Sequence, residues 1–522
     1  MLFNSYQFLF LFFPCSLLVF HLLGRRSPQI RIAVMLAASI VFYASWDVRF
    51  LLLLGGSILT NFGFGRALER AVEPRRERLA NWLLALGVAS NLLVLGAFKY
   101  TPFMIANLNA ISGADFTVGR LILPLGISFF TFEQIGYLVD VRRGHRYGAD
   151  LLRFAVFVSF FPRLVAGPIL RYSEILPQLS DDRRTADQAE NLAVGLTMFA
   201  IGLVKKAVLA DGIAPFASPV FAAAASGAPV DFFLAWGGAL AYTCQLYFDF
   251  SGYSDMAIGA ARCFGIQFPA NFNSPYKSSS IIEFWRRWHM TLSRFLRDYL
   301  YIPLGGNRRG PVRRYLNLMI TMLLGGLWHG ANWTFVAWGG LHGLYLMVNH
   351  GWAGIRANRG APNRLYSSFT ARAFGFALTF VAVVVAWVFF RAPSFAAALD
   401  MLGGMAGRHG ATLPAGLAFA LHPVMPVLRG LGIGFAHESG SQMIRMWSWI
   451  TALLAIAWVL PNSQELLARY RPVLEMNRNH TLTVPTRLVW RLTPAWAIFA
   501  GALAFLGVIS ITHVSEFLYW QF

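Results

Sequence analysis

Two histidines stand where an imidazole is expensive to place. His329 closes the apolar run Tyr315 to Leu327 as Trp328-His329-Gly330, and upstream His289 ends the stretch Glu283-Phe284-Trp285-Arg286-Arg287-Trp288-His289. A titratable ring at membrane depth usually transfers protons or lines a polar path.

The polar residues densest in this otherwise apolar chain run from Gln245 to Asn332 and enclose both histidines. Asp249 and Asp255, with Tyr247, Ser251, Tyr253 and Ser254, put two carboxylates and several hydroxyls at membrane depth. Polar or irregular backbone survives there only if buried in protein or lining a cavity, so an interrupted helix is expected over this run. Structural pairing of the carboxylates, together with Glu133 and Arg163, is the favoured reading, and a role lining a donor channel is the sharper one. Pro269, Asn271, Asn273 and Pro275 break the chain, and Ser278-Ser279-Ser280 supply N-caps for a new helix over about Ile281 to Tyr301. On a helical wheel Trp285, Trp288, His289, Leu292, Phe295, Leu296 and Tyr299 share one face, with Arg286, Arg287, Arg294, Arg297 and Asp298 opposite. Such a helix is expected to lie in or dip through the interface, its guanidinium face serving lipid phosphates or a phosphate-bearing cosubstrate. Pro303-Leu304-Gly305-Gly306-Asn307-Arg308-Arg309-Gly310 then turns the chain as a glycine-rich basic loop. It lacks the lysine-serine or lysine-threonine ending of a nucleotide-hydrolysing loop.

The elements that must position these residues follow from composition. With 57% hydrophobic and 13% charged residues and a mean hydropathy of +0.53, a 522-residue chain has too little polar surface for a large soluble globule. An all-α polytopic membrane protein is expected, with re-entrant or interfacial segments. Apolar stretches near the length a bilayer requires run from 5–23 to 494–512, through 151–170, 231–250 and 315–330, for about 11 to 13 spans. The whole chain reads as one membrane domain, residues 1–522: N-terminal helices 1–120, a core 121–350 and C-terminal helices 351–522. The last part includes an outer loop 392–445, rich in Gly, Ala and Pro, and an aromatic tail 515–522.

Basic residues orient the spans. Arg25, Arg26 and Arg31 follow the first span, the reverse of a cleavable signal peptide's charge order, so that span is expected to stay. Further clusters at Arg66 to Arg78, Arg142 to Arg153, Arg356 to Arg372 and Arg469 to Arg491 mark inner loops by the positive-inside rule. Both termini are then expected outside. The net charge of +20 reflects this topology and lipid headgroups, not nucleic acid. Cys15, Cys244 and Cys263 lack metal-ligand spacing, so neither a zinc site nor a disulfide framework is indicated.

The segments Tyr247 to Asp255, Phe284 to His289, Tyr301 to Gly306 and Leu327 to Gly330 together resemble the membrane-bound O-acyltransferase family, in particular its bacterial alginate O-acetyltransferase type. Phe161 to Ile169, Trp387 to Ala392 and the final Phe517-Leu518-Tyr519-Trp520-Gln521-Phe522 extend the likeness over nearly the whole chain. The resemblance implies a multi-helix core with a funnel or tunnel, the family's near-invariant histidine falling on His329 and a second polar position on His289. It also implies an acyl group moved from a cytoplasmic donor, acetyl-CoA or another thioester, toward an exopolysaccharide beyond the inner membrane. No bound cofactor is expected; the implied partners are membrane lipids, an exported SGNH-type acetyltransferase and other acetylation subunits.

Acyl transfer needs a base for the attacking hydroxyl and donors for the oxyanion, and neutral imidazole suits the first role. His329 is therefore the candidate general base. His289, with Asn332 or Trp328, is expected to orient it or to polarise the thioester carbonyl, and Arg286, Arg287 and Arg294 to bind the donor or line its path. His21, His342 and His350 read as hydrogen-bonded structural histidines. Tyr519 is the candidate acyl relay, its phenol activated by His329, against an interfacial anchor as the plainer reading. A transporter of the donor and a non-catalytic scaffold are the alternatives to an enzyme, and alginate, cellulose and peptidoglycan are alternative acceptors.

Overall fold

In this computed structural model, all residues are described except 25, 73–75, 120, 149, 166, 181–186, 359–367, 437–439, 475–484, 486–487, 512–517 and 519–522. Helices dominate, and the strands, Ala411–Pro414 and Ile433–Ala436, form one parallel pair. Among the described residues, five helices are long and apolar enough to cross a membrane: α1 (Phe50–Ala71), α2 (Glu77–Ser112), α4 (Gln188–Ala225), α10 (Phe369–Arg391) and α12 (Ser441–Val459). Shorter apolar helices cover Phe8–Leu23, Pro28–Ala44, Phe395–Met405 (α11) and Pro494–Ile509 (α13). Between them lie the more polar α3 (Ile127–Arg142), α5 (Phe232–Cys263), α6 (Ile281–Trp285), α7 (Met290–Leu296), α8 (Gly310–His329) and α9 (Trp333–Asn358).

The protein is thus an all-α, multi-pass membrane protein, and α5 lies at its centre. Asp231 caps α5 by accepting the Leu234 amide at 2.9 Å, and the helix ends at Phe264 and Gly265, the latter in the left-handed region. The interruption expected within the run Gln245 to Asn332 falls after Cys263, and α5 continues unbroken past Asp255 because its polar side chains are matched by neighbours. Lys206 binds Asp249 at 2.6 Å and Asp211 at 2.9 Å, and Lys205 binds Asp255 at 2.6 Å. Both lysines lie on a π-helical segment of α4, Lys205–Ala210. Close approach of the two helices lets them reach. A methyl group on Gly259 would sit 2.5 Å from the Gly195 carbonyl oxygen, and one on Gly202 would sit 2.5 Å from that of Gly252. Glycines seven residues apart on each helix therefore form the contact surface, as membrane helices without a hydrophobic drive between them require.

Three expectations are corrected. The span 151–170 is a nine-residue helix, Leu151–Ser159, followed by a turn at Phe160 and the short helix Phe161–Leu164. Pro162 opens the second helix, and Arg163 within it is buried against Glu133 and the Phe157 carbonyl. The helix expected over Ile281 to Tyr301 is also divided. Ser280 caps α6 through the Glu283 amide at 3.2 Å, as its position before the run implied. The chain then turns through Arg286 to His289 before α7 and a π-helical turn, Arg297–Tyr301. The segment 392–445 is not all loop: Ser394 caps α11, whose Ala397, Ala398 and Met401 are buried in the core.

Candidate active site

His329 is the last residue of α8, and the hairpin from α8 to α9 fixes its surroundings. A methyl on Gly326 would strike the Phe335 carbonyl, and one on Gly339 would strike that of Met322, so the two helices cross at backbone distance. This crossing sets Trp338 edge-on to His329, with ring centroids 5.0 Å apart at 90°. Gly330 has an extended backbone that any residue adopts, but a side chain there would run into the Phe335 ring. The glycine of the Trp-His-Gly triplet is thus required by space.

His289 reaches the same place from the turn between α6 and α7. Its φ of 41° is left-handed, a conformation that costs a non-glycine residue roughly 1–3 kcal/mol. Two backbone hydrogen bonds pin the turn: Met290 N donates to Asn271 O, and Asn273 N to Arg287 O, each at 2.9 Å. The two imidazoles stand with ring centroids 6.2 Å apart, 0% and 3% exposed for His289 and His329. His289 thus lies in the protein core, edge-on to Phe250 at 4.8 Å.

Aromatic rings wall the pair. Trp328 lies 5.0 Å from His329 and stacks on Phe132 at 5.1 Å, and Phe390 packs on His329 at 5.3 Å. His342 belongs to this cluster, one turn from Trp338 at 4.9 Å and stacked on Phe284 at 5.9 Å. Neither of its ring nitrogens has a hydrogen-bond partner among the described residues. Ring stacking, not the expected hydrogen bonding, holds it.

Asn332 is turned elsewhere, donating to Pro393 O at 3.0 Å and accepting from Thr334 N at 3.1 Å. The amide that meets a catalytic candidate is Asn271, whose Oδ1 lies 3.0 Å from His289 Nδ1 and accepts from Thr291 Oγ1 at 2.9 Å. Its amide nitrogen donates to Ser254 Oγ at 3.1 Å. In the sequence Asn271 reads only as a helix breaker, and Lys99 is not among the candidate site residues. The ammonium of Lys99 donates to Trp328 O at 2.6 Å and to His329 O at 3.3 Å. The signal available was a lone lysine deep in an apolar helix.

The arginines are mostly engaged. Arg287 pairs with Glu283 at 2.8 Å and Arg294 with Glu174 at 2.6 Å, while Arg286 is exposed. Arg143 and Arg171 gather over the Tyr299 ring, 5.2 and 5.6 Å from its centroid. A narrow cavity lined by Glu133, Arg171, Thr291, Arg294 and Tyr299 lies beside them. Thr291, in the wall of this cavity, hydrogen-bonds the same Asn271 oxygen that meets His289. Of the aromatic tail, Leu518 is described: it is buried and its amide donates to Asp249 Oδ2 at 3.1 Å. Tyr519 lies outside the described residues.

Residues 127–392 match the sequence model of the membrane-bound O-acyltransferase family. The chain is 42% identical over 440 residues to the peptidoglycan O-acetyltransferase of Helicobacter pylori, covering 79% of this chain and 81% of that protein. It is 46% identical over 410 residues to the probable alginate O-acetylase AlgI of Pseudomonas aeruginosa, covering 78% and 75%. A teichoic acid D-alanyltransferase of Streptococcus thermophilus is 31% identical over 240 residues, covering 44% and 57%.

Proposed function

Because the chain belongs to the membrane-bound O-acyltransferase family and is an O-acyltransferase, we propose that it acetylates a cell-envelope polysaccharide from the inner membrane of a bacterium. The donor is a cytoplasmic thioester, acetyl-CoA in its simplest form. The acceptor class follows the relatives named for alginate and for peptidoglycan. An exported SGNH-type acetyltransferase completes the modification outside, and both termini lie on that outer side. The observation that carries this reading is the pair of buried imidazoles 6.2 Å apart, walled by aromatic rings.

In the reaction His329 takes the proton of the attacking hydroxyl, whose oxygen adds to the thioester carbonyl. The carbon–sulfur bond breaks, and the thiolate leaves with the proton returned from the imidazolium. His289 holds its hydrogen on Nδ1 toward Asn271, so in the neutral ring Nε2 has a lone pair and no hydrogen to offer a carbonyl. It therefore orients His329 or the attacking hydroxyl by accepting, and does not polarise the thioester.

Tyr519 is the proposed first acceptor, receiving the acetyl group as a phenyl ester before the exported transferase removes it. Support comes from the preceding residue, Leu518, held at Asp249, whose chain neighbour Phe250 packs on His289.

The test is His329→Ala in the producing strain, with acetate released from surface polymer as the readout. Loss of acetyl esters with polymer export intact is expected; retained esters would leave only a scaffold role, and lost export a transport role.

A further inference from the structure

The last carbonyls of a helix have no partner within it, and in a membrane no bulk water replaces that partner. Helix α8 ends at His329, and its final carbonyls are received by two consecutive residues of α2. Tyr100 Oη donates to Leu327 O at 3.0 Å, and Lys99 Nζ donates to Trp328 O at 2.6 Å and His329 O at 3.3 Å. Both lie on the π-helical turn Gly96–Tyr100, where the wider winding inserts a residue and re-aims side chains.

An ammonium has three hydrogens to give. The third contact of Lys99 is with Ser128 Oγ at 3.4 Å, so all three are directed at neutral oxygens of the protein. No carboxylate lies within ion-pair distance of it among the described residues, unlike Lys205 and Lys206 on α4. A half-buried lysine without an acidic partner is costly to keep. What offsets that cost here is the negative end of the α8 dipole, which favours a cation at the helix C-terminus.

We infer that Lys99 and Tyr100 are positioning residues, a clamp on the C-terminus of α8 that fixes the backbone of His329 and so aims its imidazole. With its hydrogens spent on protein oxygens, Lys99 holds the base in place and does not itself contact the acyl group. The inference rests on His329 being the catalytic imidazole.

Membrane vesicles from cells producing the full chain, supplied with acetyl-CoA, provide the assay, with acetyl transfer followed against donor concentration. Lys99→Met keeps the hydrocarbon stem and removes every donor. The maximal rate is expected to fall at least about tenfold with KM within about twofold, because orientation in the transition state is lost and binding is not. Lys99→Arg, which keeps a charged donor, should recover part of that rate. Tyr100→Phe, nearly isosteric, should lose roughly threefold by the same reading.

A Lys99→Met protein that transfers at the wild-type rate would overturn the inference, since a residue that merely fills space is replaced well by methionine. Should that variant fail to accumulate, Tyr100→Phe decides: a reduced rate at unchanged KM upholds the clamp, and an unchanged rate removes it. His329→Ala is run beside them. Activity remaining in that control defeats the assignment of the base, whereas a dead control with active Lys99→Met and Tyr100→Phe defeats only the clamp.

Discussion

His289 donates its Nδ1 hydrogen to Asn271 Oδ1 across 3.0 Å. An amide oxygen only accepts, so this contact selects the tautomer, and Thr291 and Ser254 hold the amide from either side. The arrangement parallels hydrolase triads in which an acidic or amide partner orients a working histidine.

Replacing Asn271 with Leu should therefore lower the maximal rate of acetyl transfer by at least about tenfold, since the wrong tautomer is then free to form. Asn271→Asp keeps an acceptor facing Nδ1, and the Ser254 hydroxyl can rotate to donate to it. That variant should retain most activity. Equal losses in both, measured as acetate on surface polymer at matched protein level, would mean that Asn271 matters only for packing.

Gly330→Ala tests the spatial reading of the Trp-His-Gly triplet. The added methyl meets the Phe335 ring, an overpacking that costs about 1–3 kcal/mol and displaces the residue next to His329. Lower thermal stability of the detergent-purified protein and reduced acetylation are expected. The double variant Gly330→Ala with Phe335→Ala should regain part of the activity, because it removes the obstacle; a dihedral requirement for glycine would not be relieved this way.

Membrane embedding, the helical class and the pairing of His289 with His329 were legible in the sequence, because apolar length and stranded imidazoles are local signals. The cap at Ser280 was legible for the same reason. What escaped depended on partners distant in the chain. Asp249 and Asp255 called for partners without naming them, and only the fold brings Lys205 and Lys206 of α4 to them. The wheel drawn over Ile281 to Tyr301 was sound as periodicity, yet the contacts of Asn271 and Asn273 with residues 287–290 impose a turn that no wheel contains. Lys99 escaped too, because nothing in its neighbourhood announces that it meets the end of α8, 230 residues away.

Lys206 between Asp249 and Asp211 makes a separable prediction about stability. Removing one member of a buried pair leaves an uncompensated charge and costs roughly 3–5 kcal/mol, whereas replacing both is far milder. Lys206→Met should therefore unfold at lower temperature or accumulate poorly, and Lys206→Met with Asp249→Asn should recover much of the loss. Additive effects in the double variant would indicate that the two groups do not share an environment.

The same carboxylate ties stability to the tail, since Asp249 also accepts the Leu518 amide. Asp249→Asn keeps an oxygen for that amide, so it should preserve tail docking while weakening the hold on Lys206. Tyr519→Phe is the complementary change: it keeps the ring and removes the nucleophile. If Tyr519 carries the acetyl group, Tyr519→Phe should abolish polymer acetylation at normal protein level, and mass spectrometry of the C-terminal peptide should find a phenyl acetate in wild type lacking the exported transferase. If the tail is only an interfacial anchor, the phenylalanine ring serves equally well and acetylation is unchanged. The outcome separates the two because phenylalanine reproduces the packing of tyrosine at that position but not its phenolic oxygen.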